Sequence, residues 1–173
     1  MANKKNIVRR IKSAVISVSD KSNLKPLLQT LNRYNVKLIS SGGTFKAIRK
    51  LGYRCLEVSD YTGFNEILDG RVKTLHPKIH AGILNKRNNN SHKREIKKNN
   101  FQNIDLVIVN FYPFEKTLNT TKNHNKIIEK IDIGGPALVR SAAKNYNDVA
   151  GITSTNQYPE LITQLKKFKG ATK

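Results

Sequence analysis

Short apolar runs alternate with amphipathic segments in the first third of the chain, and this alternation constrains the fold more than any other feature of the sequence. Three runs have the length and the apolar composition of buried strands: residues 14–18, 36–39 and 55–58. Between the first two runs, leucines recur at helical spacing: Leu24, Leu27, Leu28 and Leu31. Strands that alternate with helices in this way predict an α/β fold with a parallel sheet and right-handed crossovers.

Residues that favour helix boundaries mark the ends of these elements. Ser19 and Asp20 are good N-cap residues before the first helix, and Pro26 stands in its first turn, where proline is tolerated. A second helix is predicted after the turn at 40–44 and closes at Gly52. The same patterns predict further elements: helices over 91–98, 136–145 and 158–168, and strands over 105–110 and 149–153.

The length of the chain suits one domain. We place this domain at residues 14–168, between a basic N-terminal extension at 1–13 and a tail expected to fray at 169–173. No apolar run approaches the ~18 residues of a membrane span, and 14–18 is too short for the core of a signal peptide. The single cysteine, Cys55, excludes an internal disulfide, so a reducing cytoplasm is the expected location.

The net charge of +20 suggests a nucleic-acid-binding protein at first sight. Lysine outnumbers arginine by 23 to 9, however, whereas arginine dominates base-specific contacts. The basic residues are also spread along the whole chain, and asparagine is abundant, at 20 residues. Lysine, asparagine and isoleucine rise together in AT-rich genomes. We therefore expect no specific nucleic-acid partner and only weak attraction to polyanions.

Two predicted strand-to-helix turns carry residues that bind anions. In a parallel sheet the turns at 17–21 (SVSDK) and 40–44 (SSGGT) lie at the same carboxyl edge, where ligands bind. Glycine lets backbone N–H groups approach an anion, hydroxyls donate further hydrogen bonds and lysine adds a charge. The residues concerned are Lys21, Ser41, Gly42, Gly43 and Thr44. One such turn alone is typical of a plain helix cap, but two adjacent turns with a lysine favour a monophosphate site.

The segment at 69–84 (DGRVKTLHPKIHAGIL) is basic and yet contains regularly placed apolar residues. Five basic residues fall within ten positions: Arg71, Lys73, His76, Lys78 and His80. If the segment packs down, these residues need a counter-anion or hydrogen-bond partners; the alternative is a solvated loop. His76 and His80 are four residues apart, but Pro77 disfavours a simple helix and a third ligand is not evident. We therefore predict no metal site.

The segment at 131–145 (IDIGGPALVRSAAKN) combines a glycine-rich helix start with two charged residues. Gly134 and Gly135 precede Pro136, a favoured first helical residue, so the free N–H groups at this end can act as an oxyanion hole. Asp132 lies just before them, where an ordinary helix cap is the alternative to a catalytic carboxylate. Lys144 falls among small residues, and we expect it to be buried there, which favours the neutral amine.

Taken in order, these segments resemble the IMP cyclohydrolase domains of bifunctional purine-biosynthesis proteins. The matching motifs are SVSDK, SGGT, EVSDYTGFNEILDGRVKTLHPKIH, DLVIVNFYPF and IDIGGPALVRSAAKN, which extend from about residue 14 to residue 165. The RVKTLHPK segment is highly specific. The resemblance implies a methylglyoxal-synthase-like α/β fold, with three layers around a mainly parallel sheet.

The resemblance also implies roles for individual residues. The residues that match the family's nucleotide-binding positions are Ser19, Lys21, Ser41, Gly42, Gly43, Thr44, Arg71, Val72, Lys73, Thr74, Asn110, Phe111, Asp132 and Ile133. Lys144 matches the family's proton donor or acceptor, and the further catalytic candidates are Lys73, Tyr112 and Asp132. Phe111 and Tyr146 replace the family's usual leucine and histidine, and Tyr146 is the departure that bears on proton transfer.

The activity implied is the ring closure of formamido-imidazole-carboxamide ribotide to IMP with loss of water, a reaction that needs no cofactor and no metal. The expected partners are therefore a purine ribonucleotide and, as an option that the family allows, a second copy in a homodimer; no membrane partner is expected. Proteins of this family continue into a larger AICAR transformylase domain, which this sequence does not supply. We expect a fragment, a truncated gene product or a stand-alone cyclohydrolase.

Two alternatives share the predicted fold. A regulatory module that binds phosphate without catalysis keeps the Ser/Gly turns but has no need for Lys73, Tyr112, Asp132 and Lys144, which are all present here. A methylglyoxal synthase has the same fold, but the RVKTLHPK and IDIGG segments point away from it.

Overall fold

The computed structural model describes residues 8–112 and 114–172, apart from the side chain of Lys116. The strands are β1 (Arg9–Arg10), β2 (Ser13–Val18), β3 (Lys37–Ser40), β4 (Leu56–Glu57), β5 (Leu106–Asn110), β6 (Ala150–Ile152) and β7 (Ala171–Thr172). The helices are α1 (Leu24–Arg33), α2 (Gly42–Lys50), α3 (Val58–Thr62), α4 (Pro77–Leu84), α5 (Asn90–Lys98), α6 (Phe114–Thr120), α7 (His124–Ile128), α8 (Gly134–Lys144) and α9 (Tyr158–Lys167), with a 3-10 turn at Thr155–Gln157. None of these helices is long and apolar enough to cross a membrane.

Five strands form one parallel sheet in the order β4-β3-β2-β5-β6, which confirms the predicted α/β class. Ile16 of β2 pairs with Ser40 on one side and with Ile108 on the other. The chain moves outward from β2 through β3 and β4, and then returns to the opposite side of β2 with β5 and β6. The carboxyl ends of β2 and β5 therefore flank a topological switch point, where ligand sites form in sheets of this kind.

Helices cover both faces of the sheet and give the three layers that were predicted. On one face, Ile16 packs in a buried cluster with Leu27 of α1 and Leu165 of α9. On the other face, Val15 packs with residues of α3, α4 and α8 such as Leu138. Successive residues of a strand point to opposite faces, so both faces of the central strands are apolar, as expected of a parallel sheet covered on both sides.

The two ends of the described chain differ from the predicted extension and frayed tail. β1 and β7 pair antiparallel, with Arg9 opposite Thr172 and Arg10 opposite Ala171. Ile11 is 2% exposed and Ala171 is 3% exposed, so both contribute to the packed interior. The two short strands form backbone hydrogen bonds with each other. The sequence of either segment alone does not indicate this pairing. Residues 1–7 of the predicted extension and residue 173 of the predicted tail lie outside the described residues.

Two helix starts also differ from the predictions. α1 begins at Leu24 rather than directly after Ser19 and Asp20, because the Asp20 carboxylate accepts a hydrogen bond from the Ser22 backbone N–H (2.8 Å) and closes a turn first. α4 begins at Pro77, where we predicted no simple helix. His76 caps this helix by accepting from the backbone N–H of Lys78 (3.1 Å), and proline at the first helical position needs no hydrogen-bond partner for nitrogen.

The sheet edge near β4 holds Cys55, which is half-buried and forms no disulfide. Burial raises the pKa of this thiol to about 12. The group is therefore a neutral thiol near pH 7, which makes it a poor nucleophile.

Candidate functional site

A cavity of about 520 Å³ opens at the switch point, over the carboxyl ends of β2, β3 and β5. Its volume is that of a small-molecule site. Most of the residues predicted from the sequence line it: Ser19, Lys21, Ser41, Gly42, Gly43, Thr44, Arg71, Lys73, Thr74, Asn110, Tyr112, Asp132 and Ile133. The structure therefore brings the three motif segments together around one space.

The turn after β2 is held in place by the side chain of Asn110 at the end of β5. Asn110 Oδ1 accepts hydrogen bonds from the backbone N–H groups of Ser19 (2.7 Å) and Asp20 (2.8 Å), and its Nδ2 donates to the Asp20 carbonyl (2.8 Å). Lys21 Nζ in turn donates to the Ser19 carbonyl (3.1 Å). The amide of Asn110, predicted as a ligand contact, is thus engaged with the turn and fixes the position of Ser19 and Lys21.

Two hydroxyls at the start of α2 differ in how they are used. Thr44 Oγ1 donates to the Val18 carbonyl (2.9 Å) and accepts from the Val18 N–H (3.1 Å), so this buried hydroxyl joins α2 to β2. Ser41 is the N-cap residue but makes no capping hydrogen bond with its side chain. Its hydroxyl and the first N–H groups of α2 line the cavity together, which is the arrangement that binds anions at a helix N-terminus. Gly42 has φ +54°, a conformation that favours glycine.

A tight hairpin brings Lys73 to the cavity. Ile67 and Val72 pair antiparallel, so Glu66 and Lys73 lie opposite one another at the open end of the hairpin. Lys73 Nζ is 2.9 Å from Glu66 Oε2 and 3.3 Å from the position that a Cβ would take on Gly42. The ammonium group therefore lies beside the first turn of α2. Val72, predicted to bind ligand, holds the hairpin through its backbone and does not line the cavity.

The opposite rim of the cavity is formed by the segment around α7. Arg71 forms an ion pair with Glu129, which ties the hairpin to this segment. The Lys130 ammonium lies 5.1 Å from the centre of the Tyr112 ring, a cation–π contact. Tyr112 is 49% exposed, so its hydroxyl-bearing ring stands at the mouth of the cavity rather than at its base.

The start of α8 faces the same cavity. Asp132 accepts a hydrogen bond from the backbone N–H of Gly135 (2.8 Å), and this cap lets the helix begin at Gly134, two residues earlier than we predicted. A Cβ added at Gly135 would collide with the Asp132 carboxylate, and one added at Gly134 would lie 2.5 Å from Thr74 Oγ1. Both glycines are therefore required for the close approach of Asp132 and Thr74 to the helix end.

Lys144 lies at the other end of α8 and does not line the cavity. The ten steps from Gly134 correspond to about 15 Å along the helix axis. The prediction that Lys144 is buried is wrong, since its side chain is exposed. The inward-facing residue is its neighbour Asn145, which donates to the carbonyls of Ile83 (2.8 Å) and Asn85 (2.9 Å). Phe111 is 45% exposed and also lies outside the cavity lining.

The two histidines considered as metal ligands have structural partners. His76 caps α4, as described above, and His80 Nδ1 lies 2.9 Å from Ser141 Oγ of α8. Burial lowers the pKa of His80 below its ordinary value, an effect that the backbone of Thr74 partly offsets. Across residues 8–112 and 114–172, no group of three or more His, Cys, Asp or Glu side chains could hold a metal ion.

Some residues of the cavity were not identified from the sequence. Ser17 and Glu129 line it, and Glu66 holds Lys73 at its edge. Ser17 is one residue before the carboxyl end of β2. The alternation of side chains along a strand could have indicated that Ser17 lies on the same face of the sheet as the turn after β3. No sequence pattern identifies Glu66 or Glu129. The position of Glu66 depends on the hairpin closed by Ile67 and Val72, and that of Glu129 on the segment after α7, and residue spacing predicts neither.

Comparison with known protein families gives a match over two thirds of the chain. The sequence model of the family described as MGS-like domain matches residues 23–137. A solved structure titled as the crystal structure of ForH has a TM-score of 0.81 and 32% sequence identity to this chain. The alignment covers 92% of this chain and 82% of that one.

Curated relatives are more similar in sequence. The bifunctional purine biosynthesis protein PurH of Acetivibrio thermocellus is 48% identical over 160 residues, which are 92% of this chain and 31% of the relative. The protein of the same name from Bradyrhizobium diazoefficiens is 46% identical over 164 residues, 95% of this chain and 31% of the relative. The chain thus spans about a third of the length of the curated relatives that it matches.

Proposed function

This chain belongs to the family of MGS-like domains, and from that premise we propose that it is an IMP cyclohydrolase. The substrate is the formamido-imidazole-carboxamide ribotide, and the products are IMP and water. The observation that carries the proposal is that the N-termini of α2 and α8 line one cavity together with Lys73, Tyr112 and Asp132. The relatives' name, bifunctional purine biosynthesis protein, supports a purine nucleotide as the ligand.

The α2 end of the cavity is the proposed site of the 5′-phosphate. It offers the first N–H groups of α2 at Gly42 and Gly43, the Ser41 hydroxyl, which makes no capping hydrogen bond, and the nearby Lys21 ammonium. A phosphate dianion gains both hydrogen bonds and favourable helix-dipole interaction at such an end. The base of the nucleotide then lies toward α8, where Asp132 and Thr74 provide polar groups for the reacting substituents.

Ring closure joins two substituents of the same imidazole ring. The carboxamide nitrogen attacks the formyl carbon, a C–N bond forms, and the formyl oxygen becomes an oxyanion. The carboxamide nitrogen loses one of its two protons and the formamido nitrogen loses its proton. The former formyl oxygen takes up both protons and leaves as water, and a C=N bond to the former formamido nitrogen completes the second ring. Because the reaction is intramolecular, the substrate supplies much of the proximity, and the protein has to orient the groups and handle protons.

The residues around the cavity divide these tasks in the proposal. Asp132 accepts a proton from the carboxamide nitrogen, and Lys73 donates one to the leaving oxygen. The Gly134 N–H at the start of α8 stabilises the oxyanion, since the Gly135 N–H donates to Asp132 and Pro136 has no N–H; a single donor typically contributes about 3 kcal/mol. Tyr112, at the mouth of the cavity, covers and orients the base.

Lys144 is not part of this assignment. The resemblance implied a proton-transfer role for it, but within one chain it is exposed at the far end of α8. The proton transfers in the cavity are therefore assigned to Lys73 and Asp132. Formyl transfer, the second activity implied for the full-length family proteins, is not proposed for this chain, which spans 31% of its relatives.

The proposal is tested by steady-state kinetics of ring closure for Asp132→Asn and Lys73→Ala, with IMP affinity measured separately by calorimetry. We expect kcat to fall by about 10²-fold or more for Asp132→Asn, with much less change in IMP affinity. Asp60→Asn, an exposed substitution on α3 away from the cavity, is the matched control and should leave both quantities unchanged. If IMP binds but no variant, nor the unaltered chain, converts the ribotide, the chain is a binding module without this activity.

A further inference from the structure

The carboxylate of Glu66 is a feature of the cavity edge that the proposed reaction leaves unused. Its Oε2 lies 2.9 Å from Lys73 Nζ. We propose that Glu66 is a positioning residue, which holds the Lys73 ammonium beside the first turn of α2 so that it faces the cavity. The inference rests on the catalytic role that we proposed above for Lys73.

The backbone places these two residues opposite one another. The bridge between Ile67 and Val72 closes a hairpin, and Glu66 and Lys73 are the next residues outward on its two arms. Directly opposed residues of an antiparallel pair have neighbouring side chains, and opposite charges there attract. The pairing of Glu66 with Lys73 is thus set by the register of the hairpin.

The turn of the hairpin that carries Lys73 has a left-handed backbone conformation, which residues other than glycine rarely adopt. Leu68, Asp69 and Gly70 have φ values of +54°, +53° and +82° in succession. A leucine with positive φ is strained, and such residues cluster where a structure fixes a functional group. A Cβ added at Gly70 would lie 2.7 Å from Lys73 Nζ, so the glycine leaves the space through which the lysine side chain passes.

A second, smaller cavity offers space into which the Lys73 side chain could turn if Glu66 did not hold it. This cavity of about 270 Å³ lies beside the main one and is lined by Glu57, Ser59, Phe64 and Glu66. Lys73 and Ser41 line both cavities, so the lysine stands at the boundary between them. Without an ion pair at this boundary, the flexible lysine side chain has open space on both sides. Glu66 therefore restricts which orientations Lys73 adopts.

Other charged groups do not provide the same restraint. Arg71 and Glu129 are paired with each other across the mouth of the cavity. Lys21, on the turn after β2, carries the same charge as Lys73. Within the described residues no ion pair joins Lys73 to Glu57 of β4 or to Asp132 before α8. The side chain of Glu66 is 56% exposed, and an exposed ion pair adds little to folding stability. Positioning Lys73, rather than stabilising the fold, is the role that fits this exposure.

The inference is tested first by a measurement that needs no turnover. Trace acetylation with acetic anhydride, followed by peptide mass spectrometry, reports how readily the Lys73 amine reacts in the folded chain. Glu66→Gln should increase the acetylation rate of Lys73 by about threefold, as expected when an exposed ion pair is lost. Glu95→Gln, a surface substitution on α5, is the control and should leave the rate unchanged. An unchanged rate in Glu66→Gln overturns the inference.

A double-mutant cycle then separates positioning from a structural role. Glu66→Ala alone should lower kcat for ring closure about tenfold, because a small displacement of a reacting group is costly, and Glu66→Asp should recover part of the loss. In a Lys73→Ala background, Glu66→Ala should have no further effect, since its action passes through the lysine. Additive losses contradict the inference. If acetylation responds as expected while the unaltered chain lacks turnover, the cyclohydrolase proposal fails and the placement of Lys73 by Glu66 stands.

Discussion

At the scale of single residues, chemically similar side chains in the same motif have different tasks. Ser41 and Thr44 both belong to the SSGGT turn and both carry a hydroxyl. The Thr44 hydroxyl makes two hydrogen bonds to the backbone of Val18, whereas the Ser41 side chain is open to the cavity. The residue type identifies a turn that can bind an anion, but only the hydrogen-bond partners distinguish a ligand group from a packing group.

Substitution of the two hydroxyls should therefore have different effects, one on ligand affinity and the other on stability. Ser41→Ala should weaken IMP binding roughly tenfold, the effect of one hydrogen bond to a charged group, and leave the melting temperature unchanged. Thr44→Val should destabilise the fold by about 2 kcal/mol, or roughly 4–8 °C in Tm, because the backbone of Val18 loses its buried partner. Calorimetric titration with IMP and thermal unfolding measure the two effects. Loss of stability in Ser41→Ala with no loss of affinity contradicts the assignment.

His80 gives a residue-scale prediction about pH. Burial lowers its pKa in the folded chain, so the unfolded chain takes up a proton first as the pH falls below the ordinary value of about 6.5. The free energy of unfolding should therefore decrease as the pH drops from about 7 toward 5, and the contribution of His80 should be fully present only above that range.

Urea unfolding of His80→Gln at several pH values measures this contribution. The variant should lose less stability between pH 7 and 5 than the unaltered chain, whereas His124→Gln, on the exposed start of α7, should behave like the unaltered chain. Equal pH dependence in all three proteins contradicts a role for His80 burial.

At the scale of elements, the strands of the parallel sheet and the starts of α5 and α9 could be predicted to within a residue or two, whereas the starts of α1, α4 and α8 could not. The apolar runs fixed β2, β3 and β5 to within a residue or two, because burial on both faces leaves a continuous apolar signature. α1 and α8 began away from their predicted positions and α4 was not predicted, since side chains outside each helix decided its start: Asp20 for α1, Asp132 for α8 and His76 for α4. The motifs predicted most of the residues that line the cavity. The hydrogen-bond partners that place these residues could not be predicted, because they depend on where the helices start.

The start of α8 gives the element-scale prediction. Gly135→Ala should lower the rate of ring closure at least tenfold, because the new Cβ displaces the Asp132 carboxylate, while alanine is intrinsically the better helix residue. Circular dichroism should show that the fold is retained. Gly151→Ala is the matched control, since its Cβ would meet Ala142 Cβ at 3.7 Å, an ordinary contact, and its turnover should be unchanged. Equal turnover in both variants contradicts the role given to the α8 start.

At the scale of the whole molecule, the net charge of +20 is separate from the site. Around the cavity, basic residues alternate with acids: Lys73 pairs with Glu66 and Arg71 with Glu129. The excess of lysine lies elsewhere on the surface, for example on α5, which has no buried residues. Ion pairs therefore balance these two basic residues at the cavity, and the excess positive charge is dispersed over the rest of the surface.

Dispersed charge predicts weak binding to nucleic acids without sequence preference. Fluorescence anisotropy with unrelated DNA duplexes should show binding at low salt that weakens steeply as salt increases, to a Kd above about 10 µM at physiological ionic strength. The affinities for different sequences should agree within error. Tight, sequence-selective binding at physiological salt contradicts the interpretation of the charge as compositional.

The rate at which the purified chain converts the formylated ribotide to IMP tests the central claim most directly. The conversion is followed by the change in ultraviolet absorbance as the second ring forms. We expect saturable formation of IMP by the 173-residue chain without added metal or cofactor, at a rate proportional to the chain concentration. A folded chain that binds IMP and yet forms none above the uncatalysed rate contradicts the claim.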